Sequence, residues 1–465
     1  MKKPINLIKE DIENNIRNDK NEIKQLVDED NYTEVIHLIS KLAFKLYDYN
    51  QTYTDDDLEE WLKVLEANIN VGSGKLWKHN NKKKVLFYDG FGLDTRGLVQ
   101  IYIRALSELG YDIEYITVWS GKGKQPCLMK DLQRNDAEVI YLPDEYKIDL
   151  YSDICRHIER FQPDIGFLYT TPWDTAVILA FMHFAGKMCR YQINLTDHAF
   201  WLGRNAFDYC LEFRDFGASL SSCYRKIPAK KLLVQPYYPP NNDFLPFEGY
   251  PFVRQQNDFL IFSGGSIYKT KDNENTYYRL MAWILETFPQ VKFWFASNQS
   301  CEELQDLLRK FPKRVFCTKE RKDLYEVISH ADLYINTIPM AGGLMTQFSA
   351  VAGRIPLTLC LDEGEHGFLL DENSVDFIYR DISAFKRAVK RYIEDDDYRH
   401  EQEKLIKKTV ITPKKFNENL ERIMVSHTSA YQIHPFLIDD ALIIQKRQFF
   451  NRYINAHYPD QSDGQ

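Results

Sequence analysis

The chain has 465 residues, 44% of them hydrophobic and 27% charged, with a formal net charge of −8. That length holds two or three domains with ample core, the composition is that of an ordinary globular chain, and the negative charge argues against a general nucleic-acid binder. The eight cysteines form no Cys-x-x-Cys pair and read as scattered thiols of a reducing, cytoplasmic compartment. No apolar run approaches the roughly 18 residues of a membrane span, and the opening MKKPINLIKEDIENN lacks the apolar core of a leader.

Residues 1–80 are polar, with apolar positions at helical spacing: Ile8, Ile12 and Ile16; Ile23 and Leu26; Val35, Leu38, Ile39, Leu42 and Leu46; Leu58, Trp61, Leu62 and Leu65. They predict three or four helices, an N-terminal helical extension that packs without chemistry or holds an acceptor or partner. The glycine- and lysine-rich 71–84 reads as a linker. Its GSGK lacks the preceding strand and the spacing of a phosphate-binding loop.

From Lys84 the pattern changes to alternating strands and helices. Strands are expected at 85–91, 113–119, 138–143, 164–170, 189–197, 208–213 and 231–238, with helices at 96–109, 149–160 and 174–184. This is an α/β, doubly wound (Rossmann-like) domain over 84–240. A Pro-, Asn- and aromatic-rich linker follows at 236–252. The same pattern then repeats over 255–425, with strands at 259–265, 291–298, 314–319, 333–338, 356–361 and 376–381. Its last polar helical stretch, to Val425, is placed to pack back on the first domain. Residues 426–465 form a helical tail, with a helix expected at 439–455.

The stretch 331–356, ADLYINTIPMAGGLMTQFSAVAGRIP, reads as strand, glycine turn and helix. Free amides at a helix N-terminus, together with its dipole, make such a turn an anion cradle. Two doubly wound domains in tandem should leave a cleft along the carboxyl ends of both sheets, as suits a two-substrate enzyme.

Five segments occur in a fixed order: GGSIYKTK (264–271), FPQVKFWFASN (288–298), DLYEVISHADLYINTIP (323–339), GGLMTQFSAVAGRIP (342–356) and GFLLDE (367–372). With these, residues 84–425, and best 259–401, resemble the GT-B glycosyltransferases, in particular the bacterial class that includes capsule and lipopolysaccharide enzymes. The resemblance implies a GT-B architecture and a hexosyl- or N-acetylhexosaminyl-transferase. Its donor would be a nucleoside-diphosphate sugar, UDP-linked, and its acceptor a surface-glycan precursor, a lipid-linked glycan or a protein. It implies no metal and no other cofactor, no nucleic-acid partner, and leaves open peripheral membrane contact and homo- or hetero-oligomers.

Carried over by position, Gly264 and Gly265 open the donor domain, and Gly342, Gly343 and Leu344 offer amides to the diphosphate, with Met345, Thr346 and Gln347 beside them. Lys271 falls at the lysine that neutralises the diphosphate, with Lys269 adjacent, and Thr318 falls where the family holds the nucleobase. A lysine and a helix N-terminus can stabilise the departing charge without metal. In the first domain, TDHAFWLG (196–203) places His198 at the acceptor-side histidine, with Asp197 to orient it. Arg96, in GFGLDTRG (90–97), is a phosphate candidate. The two glutamates of many retaining members are Ala341 and Ser349 here, and an arginine expected after the first donor-domain glycine is Ser266. Gln347 or Thr346 would then take over hydroxyl contacts. TIPMAGGLMTQFS also resembles the protein-modifying GT-B enzymes, which are inverting and lack that glutamate pair. A nucleotide-sugar 2-epimerase and a non-catalytic partner subunit are the alternatives.

Overall fold

A computed structural model of the chain describes residues 9–49, 52–69, 77, 83–93, 98–143, 148–240, 246–361, 367–434 and 438. The expected Arg96 and the helix at 439–455 lie outside the described residues. The chain divides into two compact units, Met1–Tyr237 with Pro413–Gln465, and Tyr238–Thr412.

The first unit holds seven parallel strands: β1 (Lys84–Asp89), β2 (Asp112–Val118), β3 (Glu138–Leu142), β4 (Ile165–Tyr169), β5 (Cys189–Ile193), β6 (Tyr209–Glu212) and β7 (Leu232–Val234), in the order β3-β2-β1-β4-β5-β6-β7. β1 and β4 are buried almost throughout, as strands covered on both faces must be. The strand order reverses between β1 and β4, which makes that carboxyl edge a natural ligand position.

The N-terminal helices α1 (Lys9–Asp28), α2 (Tyr32–Tyr49) and α3 (Asp56–Asn68) are part of this core. The reason lies in α7 (Thr175–His183), in which Thr175 and the seven residues after it are all buried. A helix apolar on every side needs cover away from its sheet. Val35, Ile39, Leu58 and Leu62, each 0% exposed, share one core with Ala176–Met182. Burying each such side chain contributes about 1.5–3 kcal/mol. At the other end of the chain, α15 (Pro413–Ser426) also belongs to the first unit, as its place in the sequence suggested, so the donor-domain range 255–425 is too long by this helix. Phe416 packs edge-on to Tyr102 at 5.1 Å, and Asn419 Nδ2 donates to the Val234 carbonyl at 3.0 Å.

The second unit has six parallel strands: β8 (Phe259–Gly264), β9 (Val291–Ala296), β10 (Val315–Thr318), β11 (Leu333–Ile335), β12 (Pro356–Leu359) and β13 (Ile378–Tyr379), ordered β10-β9-β8-β11-β12-β13. Here the order reverses between β8 and β11. Among the described residues no helix is long and apolar enough to cross a membrane.

Candidate functional site

In the second unit, the loops after β8 and β11 flank the reversal. Gly265 follows β8 with φ of +139°, a conformation L side chains rarely adopt. Its amide donates to the Ala296 carbonyl at 3.0 Å, so the ladder to β9 runs up to the start of this loop. Beyond β11, Asn336 organises the glycine turn. Its Nδ2 donates to the hydroxyls of Thr346 and Thr358 at 2.9 and 2.8 Å, and its Oδ1 accepts from the Gly342 amide at 3.2 Å. The turn then enters α12 (Gly343–Ala352), capped at its far end by Gly353. A Cβ on Gly343 would stand 2.6 Å from the Phe368 ring, so any larger residue there would have to displace that ring.

The amides of Gly343, Leu344 and Met345 open α12 and have no acceptor within the helix. Among the described residues none accepts from them. Lys269 stands opposite: its Nζ is 3.8 Å from where a Cβ on Gly342 would be, and its carbonyl accepts from the Met340 amide at 3.3 Å. Beside this cradle lies a pocket of about 310 Å³, lined among others by Gly264, Gly265, Asn298, Glu320 and Met345. An anion-binding turn next to a pocket of that size suits a nucleotide.

In the first unit, His198 follows β5 on a loop held from below. Arg225, 1% exposed, donates through Nη2 to the carbonyls of Asp197 and Ala199 at 2.9 and 2.6 Å. Glu59 of α3 accepts from the Gly203 and Arg204 amides at 2.8 and 3.2 Å, so the N-terminal helices also fix this loop. His198 Nδ1 lies 3.3 Å from Asp197 Oδ1. An ionised carboxylate only accepts, which places the ring proton on Nδ1. Asp197 in turn accepts from Arg214 Nε and, at 3.0 Å, from its Nη2. Burial alone would raise the Asp197 pKa, but the Arg214 charge and the hydrogen bonds from His198 and Arg214 outweigh it and hold the carboxyl well below the usual range. The imidazole is 43% exposed, the carboxylate 1%.

The expected residues are thus sorted. Gly264, Gly265, Gly342, Gly343, Leu344, Met345 and Lys269 come together around the cradle and pocket. Gly342 belongs to it as a turn residue, since its amide is taken by Asn336. Lys271 does not join them: its ammonium pairs with Glu303 of α10 (Glu302–Lys310) and lies 5.6 Å over the Tyr278 ring. Thr318 has its hydroxyl on the Trp294 indole N–H at 2.9 Å and its carbonyl on the Ser297 amide, also at 2.9 Å. Thr346 and Gln347 are 1% and 2% exposed and face inward, Thr346 to Asn336 and Gln347 to the Phe368 carbonyl at 3.0 Å. Ser349, fully buried, donates to the Arg354 carbonyl at 2.8 Å. Asn336, Arg214, Arg225 and Glu59 were not singled out from the sequence. Only Asn336 had a local signal, a polar residue closing an apolar strand just before a glycine turn.

No family model and no curated protein matches the sequence. Solved structures match its fold. A glycosyltransferase from Rickettsia africae ESF-5 superposes with a TM-score of 0.57 at 13% identity, over 75% of this chain and 100% of that one. A putative UDP-N-acetylglucosamine 2-epimerase from Listeria monocytogenes gives 0.52 at 11% identity, over 77% and 100%. At such identities the likeness establishes the fold, and the chain has the GT-B fold. The two names differ in activity, so the fold alone does not choose between them.

Proposed function

We propose that this chain is a glycosyltransferase that takes a sugar from a nucleoside-diphosphate sugar, UDP-linked, and passes it to a hydroxyl of a surface-glycan precursor or a protein. The observation that carries this reading is the cradle at the strand-order reversal of the second sheet: three helix amides without a partner among the described residues, Lys269 opposite and a pocket of about 310 Å³ alongside.

The reaction breaks the bond between the anomeric carbon and the β-phosphate oxygen, and the electron pair leaves with the diphosphate. Lys269 and the N-terminus of α12 would stabilise that charge, fixed in place before it develops. The acceptor oxygen bonds to the anomeric carbon and gives its proton to a general base; within the first unit the candidate for that role is His198, whose Nδ1 is held by Asp197 so that Nε2 is left to accept. A direct, inverting displacement fits this chain. Ala341 offers no carboxylate, and the Ser349 hydroxyl is turned onto a carbonyl inside the fold.

The test is calorimetric titration with UDP, GDP and a panel of UDP-sugars, followed by product analysis with the sugar nucleotide that binds. Micromolar binding of one nucleotide, with the sugar released or transferred, supports the reading. Recovery of a sugar nucleotide epimerised at C2 would favour the 2-epimerase. No binding of any nucleotide at millimolar concentration would overturn both and leave a non-catalytic subunit.

A further inference from the structure

We infer that Glu320 is the residue by which the pocket reads the ribose diol of its nucleotide. The inference rests on the donor-site reading above. In doubly wound dinucleotide sites an acidic residue at the end of the second strand takes the ribose hydroxyls. In this unit β9 is that second strand, and its carboxyl end carries Ser297 and Asn298, with no carboxylate. The carboxylate arrives instead from the neighbouring strand. Glu320 lies two residues beyond β10 and is pinned to the end of β9 by a reciprocal pair: Asn298 Nδ2 donates to Glu320 Oε2 at 3.0 Å, and the Glu320 amide donates to Asn298 Oδ1 at 3.1 Å.

Elimination points the same way. The pocket's other charged side chain, Arg321, donates to both Asp323 oxygens at 2.7 and 2.6 Å and to the Gly249 carbonyl at 3.0 Å. The Ser297 hydroxyl accepts from the Gln299 amide at 3.2 Å, and Gln299 Oε1 accepts from the Ile267 amide at 3.3 Å, so both brace the loops. Glu320 is the one carboxylate among the described residues lining the pocket, and it is exposed. With Oε2 anchored, its remaining acceptor positions match two vicinal hydroxyl donors.

The experiment titrates UDP and GDP, each against its 2′-deoxy form, into the wild type and Glu320→Gln. Gln keeps an oxygen for Asn298 and turns an N–H₂ toward the ligand, so the contact is lost while the loop pair survives. The wild type should prefer the ribose form about tenfold. In Glu320→Gln the preference should fall to near one, through a larger loss for the ribose form, which gives both hydroxyls to the carboxylate, than for the 2′-deoxy form, which keeps only its 3′-hydroxyl. Equal binding of both forms by the wild type overturns the inference and leaves the donor site standing, as does an unchanged preference in the variant. Failure of every nucleotide to bind removes the inference together with the donor-site reading.

Discussion

At the carboxyl edge of the first sheet, Asp89, Asp174, Asp197 and Glu212 are each at most 1% exposed and bonded into the loops they serve. At the same edge of the second sheet, Glu320 is exposed and three helix amides await an acceptor. The strand order is the same on either side of each reversal, so topology does not make the difference. The first unit buries charge to fix loop geometry. The second leaves backbone donors uncommitted, as an anion site must. Among the four buried carboxylates, burial pushes Asp89 and Glu212 up and takes Asp174 to about 6. Only Asp197 is pulled down, because Arg214 and His198 bond to it directly, whereas the Arg225 charge near Glu212 does not outweigh that residue's burial. The carboxylate kept firmly charged is the one that touches His198.

The largest effect should come from removing that histidine. His198→Ala should lower turnover of the sugar nucleotide identified by titration by about 10²–10⁴-fold, the range for a lost general base. Calorimetric titration of the same variant with that sugar nucleotide separates lost turnover from lost donor binding. A variant that keeps wild-type turnover would break the assignment of the base and with it the asymmetry between the two edges.

Next in size is the ion pair beneath it. Asp197→Ala leaves the Arg214 guanidinium, 8% exposed, without its carboxylate. Breaking such a pair should cost about 3–5 kcal/mol, read from the denaturant midpoint. The sign with pH follows from the depressed folded pKa. The stabilisation is fully present above the unfolded carboxylate value of about 3.9 and is lost as pH falls toward the lower folded value. The Asp197 contribution to the gap between wild type and variant should therefore shrink below about pH 4. Asp174 has the opposite sign, since its raised pKa means stability is lost as pH rises toward about 6. It is present in both proteins and cancels in the difference.

Parallel strands were legible because burial on both faces leaves apolar runs: 259–265 was expected and Phe259–Gly264 is found. α8 (Asp215–Cys223) was not expected, and its sequence DFGASLSSC explains why. Glycine and three serines are weak helix formers. The glycine is there because a Cβ would stand 2.6 Å from a Glu212 oxygen and 2.8 Å from the Asp197 Cβ, a tertiary constraint. The glycine turn was legible because its parts are contiguous. The supports of His198 were not, since Arg214, Arg225 and Glu59 reach the loop from distant positions in the chain.

The two lysines after β8 give the smallest and sharpest test of the second edge. Lys269 and Lys271 are two residues apart, which on a tight turn at 267–270 sends their side chains in different directions. Lys269 faces the glycine turn, and Lys271 is neutralised by Glu303. Removing a charged hydrogen bond to a diphosphate is worth about 1.5–3 kcal/mol, so Lys269→Ala should weaken nucleotide binding about 10- to 100-fold. Lys271→Ala removes one member of a partly exposed ion pair, worth at most about 1 kcal/mol to folding, and should change nucleotide affinity by less than about threefold. Calorimetric titration of both variants with the nucleoside diphosphate separates them. A large loss in Lys271→Ala with none in Lys269→Ala would mean that the Lys271–Glu303 pair opens when nucleotide binds, and would return the diphosphate contact to the position at which the family resemblance first placed it.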